Sequence, residues 1–201
     1  MHKKIIIVGA GENAAVIKNI LKEQYIIEGF LDDNVKNKQV LGPISWYTKY
    51  LQNYLFFVSI GNNSSRFKVF ERIKLAGGVF VNAIHKTASL EHDVRLGTNI
   101  FIGAQTYINV NTQIGNNVFI NNGCIIEHDN VIEEGAHMTP GVITGGGTTV
   151  GKRTFVGLGS IINDHIIIGH DTIIGSGSVV INDINSLVSA VGIPAKIIKK
   201  L

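Results

Sequence analysis

The chain has 201 residues, 45% of them hydrophobic and 16% charged, the balance of a soluble globular protein with a sizeable core in one large domain or two small ones. A net charge of +3, with no Lys/Arg run interleaved with aromatics, excludes a nucleic-acid-binding surface, and no apolar stretch is long enough to cross a membrane. The single cysteine, Cys124, excludes an internal disulfide and suits the cytoplasm.

Met1 to Lys4 followed by Ile5-Ile6-Ile7-Val8 has the outline of a signal peptide, but Gly9-Ala10-Gly11-Glu12 ends the apolar run too soon. Lys4 to Val8 instead reads as a strand covered on both faces. Asn13 to Gln24 has helical spacing through Ala14, Ile17, Ile20 and Leu21. Tyr25 to Leu31 is a second strand ending at Asp32-Asp33-Asn34, and Leu41 to Ser45 is a loop around Pro43. Trp46 to Leu51 is a short helix, Tyr54 to Ile60 a third strand ending at Gly61-Asn62-Asn63, and Arg66 to Ala76 a helix closed by Gly77-Gly78. Val79 to Ile84 is a fourth strand. Strands alternating with helices predict a small Rossmann-like parallel α/β domain over residues 1–85.

Residues 86–201 keep a different rhythm. An aliphatic residue recurs at every sixth position: Leu90, Leu96, Ile102, Ile108, Ile114, Ile120, Ile126, Ile132, Met138, then Val150, Val156, Ile162, Ile168, Ile174 and Val180. Thr144 breaks the apolar rule without shifting the phase. Period six suits a parallel β-helix, in which each short strand contributes one inward residue per flat face. Gly or Asn follows many inward positions, as at Gly97, Asn109 and Gly151, and is expected to supply left-handed backbone at the corners. After Val180 the phase is lost, and Gly192-Ile193-Pro194-Ala195-Lys196 leads into a basic tail.

Gly9-Ala10-Gly11-Glu12-Asn13-Ala14 fits G-x-G-x-x-A between a strand and a helix, where backbone N–H groups approach phosphate. A tight turn without a ligand has the same pattern. Asp32 and Asp33 end one strand and offer carboxylates to a ribose or base, and Gly61-Asn62 ends another. The domain is too small for the paired halves of a dinucleotide fold, so one nucleotide with something attached fits it. His128 stands two positions after the inward Ile126, which projects its ring at a corner. Asp129 or Glu127 is placed to orient the imidazole and raise its basicity, as for a general base, against the plainer reading of a surface histidine. His137 lies half a coil further round and can face His128 only across a subunit boundary. Gly145-Gly146-Gly147 either admits an extended ligand against the backbone or marks a local bulge.

These features resemble the left-handed β-helix acyltransferases, in particular the sialic-acid-acetyltransferase-like group that acetylates nucleotide-linked amino sugars and includes the bacillosamine-pathway N-acetyltransferases. The likeness spans nearly the whole chain. It rests on Phe30-Leu31-Asp32-Asp33, Ile60-Gly61-Asn62-Asn63, Ile84-His85-Lys86, Ile126-Glu127-His128 and Gly192-Ile193-Pro194-Ala195-Lys196. The resemblance implies a left-handed β-helix, a homotrimer with active sites between prisms, acetyl-CoA as co-substrate, no metal, and a nucleotide-linked (UDP- or dTDP-) 4-amino-4,6-dideoxy sugar as acceptor in bacterial surface-glycan synthesis. It further implies His128 as the catalytic base, Asp129 as its acidic partner where the family often has Glu, and His137, Gly146, Leu158 and Ser176 along the coenzyme groove, the last where the family usually has Gly. Gly9, Gly11, Glu12 and Asn13 correspond to a phosphate loop that in the family is of Ser-Gly-His type, with Asp32, Asp33, Gly61 and Asn62 beside the substrate.

The expected reaction is direct attack of the sugar amine on the thioester. His128 takes the proton, Asp129 stabilises the imidazolium, and backbone N–H groups near the glycine run hold the oxyanion. A Cys124 acetyl-enzyme is the alternative route, from a thiol at the outward end of a repeat. Other readings are sugar O-acetylation of the sialic-acid type, a non-enzymatic nucleotide-sugar-binding trimer, and a zinc enzyme like the gamma-class carbonic anhydrases. For the zinc site His165 and His170 have the right step, and His92 and His128 are 36 apart, but Asp129 and Glu133 stand where a third histidine belongs. His85, His92, His165 and His170 are assigned to exposed corners or solenoid ends. Lys196, Lys199 and Lys200 either attract coenzyme phosphates or form a solvated tail.

Overall fold

The structure, a computed structural model, describes residues 3–34 and 40–201, so Met1 and His2 of the expected leading segment lie outside it. The chain divides into two compact units, Met1–Ala83 and Ile84–Leu201.

In the first unit four parallel strands are ordered β3-β2-β1-β4: β1 Lys4–Val8, β2 Ile26–Leu31, β3 Val40–Gly42 and β4 Leu55–Val58. Ile5 to Val8 are fully buried, as an unbroken apolar run at the sheet centre requires. Helix α1, Glu12–Leu21, buries Ala14, Ile17, Ile20 and Leu21 on one stripe. Helix α2, Asn63–Leu75, begins earlier than its apolar spacing suggests, because Asn62 Oδ1 accepts from the Ser65 N–H at 2.9 Å and caps it. The short helix is a 3₁₀ segment, Ile44–Lys49.

Two expectations are corrected. The stretch read as a loop around Pro43 contains β3, which pairs Phe30 with Val40 and Leu31 with Gly42. Gly42 is needed there because a Cβ would lie 2.3 Å from the Trp46 ring. Conversely, Val79 to Ile84 joins this sheet only through a bridge between Phe56 and Phe80, while its last two residues, Ala83–Ile84, form a strand beside Phe101–Ile102. Its apolarity comes from packing: the Phe80 ring sits 4.5 Å from Phe70 and 6.3 Å from Phe56.

The second unit is a left-handed parallel β-helix. Two-residue strands stack in register every third repeat, as in Ile114↔Ile132, Ile132↔Val150 and Val150↔Ile168. The inward aliphatic residues from Ile102 to Val180 merge into one core. Thr144 is accommodated because its Oγ1 accepts from the Glu127 N–H at 3.3 Å. The glycines after inward positions do not serve the corners. Left-handed backbone falls two residues later, at Asn99, Asn111, Asp129, Arg153, His165 and Asp171 among others. Gly115 and Gly157 are small because coils stack closely: a Cβ would come within 2.8 Å of Glu134 N and 2.5 Å of Ser176 N respectively. The basic tail is a strand, Lys196–Lys200, antiparallel to Val188–Val191.

Candidate active site

The first unit carries a pocket of about 360 Å³ lined by Gly9, Gly11, Glu12, Asn13, Asp32, Ser59, Ile60 and Gly61. It lies beyond the carboxyl ends of β1 and β4, where the chain changes direction across the sheet, the usual ligand position in open parallel sheets. Gly9 must be glycine, since φ is +100° and a Cβ would touch Ile60 and Ser59 at 3.0 Å. Gly11 has open space around it, so its lack of a side chain leaves the N-terminus of α1 uncovered. Asp32 lines the pocket while its Oδ2 accepts from the Ala10 N–H at 2.7 Å, so it shapes the glycine turn. Asp33 and Asn62 do not line it. Asp33 Oδ1 accepts from the Ile44 N–H at 2.9 Å, and Asn62 is spent on capping α2. Ser59 was missed by sequence reasoning; its Oγ donates to Gly9 O at 2.9 Å and ties β4 to the glycine turn.

In the solenoid, His128 and Asp129 occupy one corner. His128 Nδ1 lies 2.7 Å from Asp129 Oδ2, and both side chains are about half exposed. The carboxylate fixes which nitrogen is engaged, leaving Nε2 for proton transfer. Hydrogen bonds from His128 first, then from Asn111 Nδ2 at 3.1 Å, hold the Asp129 carboxyl below its ordinary pKa. Between the two possible orienting groups the structure selects Asp129, because Glu127 Oε2 accepts from Asn109 Nδ2 at 2.7 Å instead. The imidazole rests on Gly146: a Cβ there would lie 2.5 Å from Cε1 and 2.6 Å from Nε2. The glycine run therefore seats the ring of the preceding coil.

Asn130 was also missed. It is fully buried, and its Nδ2 donates to Glu127 O, His128 O and Gly145 O at 2.8, 3.2 and 2.9 Å. Both peptide groups flanking the His128 Cα are pinned, while Asn130 Oδ1 is buried without a hydrogen-bond partner among the described residues. The neighbours of Asn130 in the same column, Thr112 and Thr148, make one such bond each, to Glu127 O and Asn163 O.

The four expected coenzyme contacts are split within one chain. Gly146 is at the His128 corner. His137 is buried on another face, edge-on to Phe119 and Phe155 at 5.7 and 5.4 Å. Leu158 and Ser176 are exposed at adjoining coils of a third column. Cys124 faces inward, contrary to expectation: it is fully buried, its Sγ is 3.2 Å from Thr139 O, and burial pushes its thiol up to about 11, which suppresses the thiolate. His165 lies against Gly147 and helps lower the Asp129 pKa, while His170 pairs with Asp171. Among the described residues no cluster of three or more His, Cys, Asp or Glu side chains is arranged to hold a metal ion.

Residues 4–73 match the family described as the PglD N-terminal domain. PerB from Caulobacter crescentus, solved in complex with CoA and GDP-perosamine, is 32% identical over 99% of both chains, with a TM-score of 0.94. A histidine-to-alanine variant of GDP-perosamine N-acetyltransferase from the same organism, with the same two ligands, is 31% identical over 100% of this chain and 99% of its own, with a TM-score of 0.95. The UDP-N-acetylbacillosamine N-acetyltransferase of Bacillus subtilis (strain 168) is 32% identical over 112 residues, 50% of this chain. The match thus spans about half, 51%, of that curated relative's length. The acetyltransferase domain of PglB from Neisseria gonorrhoeae, at 24% identity and a TM-score of 0.91, shares the fold.

Proposed function

The chain belongs to the left-handed β-helix sugar acetyltransferases of the sialic-acid-acetyltransferase-like group, and we propose that it transfers acetyl from acetyl-CoA to the amine of a nucleotide-linked 4-amino-4,6-dideoxy sugar. The observation that carries this reading is the His128–Asp129 pair seated on Gly146, within a chain that matches over 99% of its length a relative holding CoA and a nucleotide amino sugar. Residues 1–85 are the nucleotide-sugar domain, with the pocket between β1 and β4 taking the nucleotide. Residues 86–201 are the transferase domain.

The neutral amine attacks the thioester carbonyl. As the C–N bond forms, His128 Nε2 accepts the amine proton, and Asp129 stabilises the imidazolium through Nδ1. Collapse of the tetrahedral intermediate breaks the C–S bond, and the proton held by His128 goes to the departing thiolate. Holding each substrate at its own site supplies the proximity that makes the step unimolecular.

The working form in this reading is a homotrimer. Outward-facing Ile125, Ile143 and Ile161 are 38, 37 and 42% exposed on one flat face, an apolar stripe suited to a neighbouring prism. A subunit boundary would also bring a partner's His137, Leu158 and Ser176 columns toward the His128 corner, which one chain does not do. The setting is cytoplasmic synthesis of a bacterial surface glycan.

Liquid chromatography of acetyl transfer to UDP-, dTDP- and GDP-linked 4-amino-4,6-dideoxy sugars tests the reading; GDP is included because the Caulobacter relative holds GDP-perosamine. N-acetylated product with one nucleotide series is expected. Acetyl on a hydroxyl would support the O-transfer alternative, and absence of CoA release with every acceptor would leave a binding protein.

A further inference from the structure

Helix α2 buries a cation behind the pocket of the first unit. Arg66, its fourth residue, is 0% exposed and heads the largest fully buried side chains. Its Nη1 donates to the carbonyl oxygens of Ile60 and Gly61, both at 3.2 Å, and to Asn63 Oδ1 at 3.0 Å. Burial pulls the guanidinium down to about 9, which still leaves it charged at neutral pH. Burying such a cation is costly, and an apolar side chain would fill the space without that cost.

The carbonyl contacts have a geometric consequence. In a trans peptide the C=O and N–H bonds point in opposite directions. Turning the Ile60 and Gly61 carbonyls onto a buried guanidinium therefore turns the N–H groups of Gly61 and Asn62 away from the interior. Gly61 is exposed and, with Ser59 and Ile60, forms the β4 wall of the pocket. Consecutive N–H groups aimed outward make a concavity suited to an anion, and a positive charge directly behind them strengthens it.

We propose that Arg66 is a positioning residue for the diphosphate of the nucleotide sugar: it never touches the ligand, but holds the Ile60–Asn62 backbone so that the Gly61 N–H in the pocket wall, and the Asn62 N–H just beyond that wall, face the phosphates. This rests on the nucleotide reading of the pocket given above and adds the group that orients its phosphate wall. A hydrogen-bond anchor alone could have been neutral; the charge is what a phosphate ligand uses.

Calorimetric titration separates this role from general support of the loop. The probes are UDP, dTDP and GDP, the matching nucleosides, and acetyl-CoA, with circular dichroism as the folding check. Arg66→Met is expected to weaken diphosphate binding by about tenfold or more while nucleoside affinity stays within about twofold. Acetyl-CoA affinity should be unchanged. Arg66→Lys keeps a cation but lacks the fork, and should lose about three- to tenfold for the diphosphate alone; it decides the matter if the Met variant does not fold. Wild-type diphosphate affinity in a folded variant, or equal losses for diphosphate and nucleoside, overturns the proposal and leaves the nucleotide pocket standing. If no diphosphate binds the wild-type protein, the nucleotide reading itself fails and takes this inference with it.

Discussion

Three corners of the solenoid carry the dipeptide His-Asp two residues past an inward aliphatic residue: His92-Asp93 after Leu90, where Nε2 and Oδ2 stand 4.0 Å apart, and the closer pairs His128-Asp129 after Ile126 and His170-Asp171 after Ile168. In the two closer pairs each aspartate has left-handed backbone, with φ of 59° and 51°, and each histidine approaches it through Nδ1, at 2.7 and 2.9 Å. The close Nδ1 contact thus recurs at a second corner and cannot by itself mark a catalytic pair. What differs lies one coil to either side. On the preceding coil Asp129 meets the neutral Asn111, whereas Asp171 is held by both arms of Arg153. On the following coil the His128 carbonyl receives the Gly147 N–H and the ring rests on Gly146; the His170 carbonyl receives the Leu187 N–H, and Ser186 Oγ accepts from the His170 N–H. One corner has a carboxylate without an arginine partner and a bare glycine under the ring. The other has a carboxylate held by Arg153 and a serine side chain beside the backbone of its histidine.

The largest effect should come from removing each imidazole in turn. His128→Ala is expected to lose about 10²–10⁴-fold in kcat while folding normally, the usual worth of a general base. His170→Ala should stay within about twofold of wild type by the same measure. Equal losses in the two variants would erase the distinction between the corners. Next comes the seat. Gly146→Ser copies the Ser186 side of the second corner and drives a Cβ to 2.5 Å from the His128 ring. The ring must move, and misplacement of a reacting group by about 1 Å costs on the order of 10²-fold. Turnover should fall toward that figure with the affinity for nucleotide unchanged, whereas an undiminished kcat would mean that the ring already sits elsewhere during catalysis.

Sequence reasoning reached the solenoid because its evidence is periodic: the inward series from Ile102 to Val180 forms the core, with Thr144 alone needing a hydroxyl partner. It reached the His128 corner through phase, since a residue two positions past an inward one must project at an edge. It did not reach the features that depend on stacking. Asn130 reads as one more small polar residue until its reach across to Gly145 O is seen, and the glycines after inward positions look like corner residues until the neighbouring coil is in place. Arg66 enters the sequence reading only as the start of a helix, because its position there says nothing of the carbonyls beneath it. In the α/β unit, Val79 to Val81 reads as a full strand but makes only a short bridge to Phe56, since packing of Phe80 against Phe56 and Phe70 selects the same residues as longer pairing does.

The smallest effect is expected where the second corner loses its cation. Arg153→Met removes both bonds to Asp171 but leaves Ser186 in place, so turnover should not change and His170 should not become a base. Stability is the sensitive quantity. The Asp171 carboxyl is held below its ordinary pKa, chiefly by Arg153 and less by His170. A carboxyl depressed in the folded state contributes stability that is complete above its unfolded pKa, near ~3.9, and is lost as pH falls through the folded value. Wild type should therefore exceed the variant by about 1 kcal/mol at neutral pH, the range for a partly exposed ion pair. That gap should narrow as the pH is lowered below ~4. Denaturant unfolding at pH 7 and pH 3 measures both values. A gap that persists undiminished in acid would assign the arginine's contribution to packing of its aliphatic stem, and would make the charge difference between the two corners irrelevant to folding.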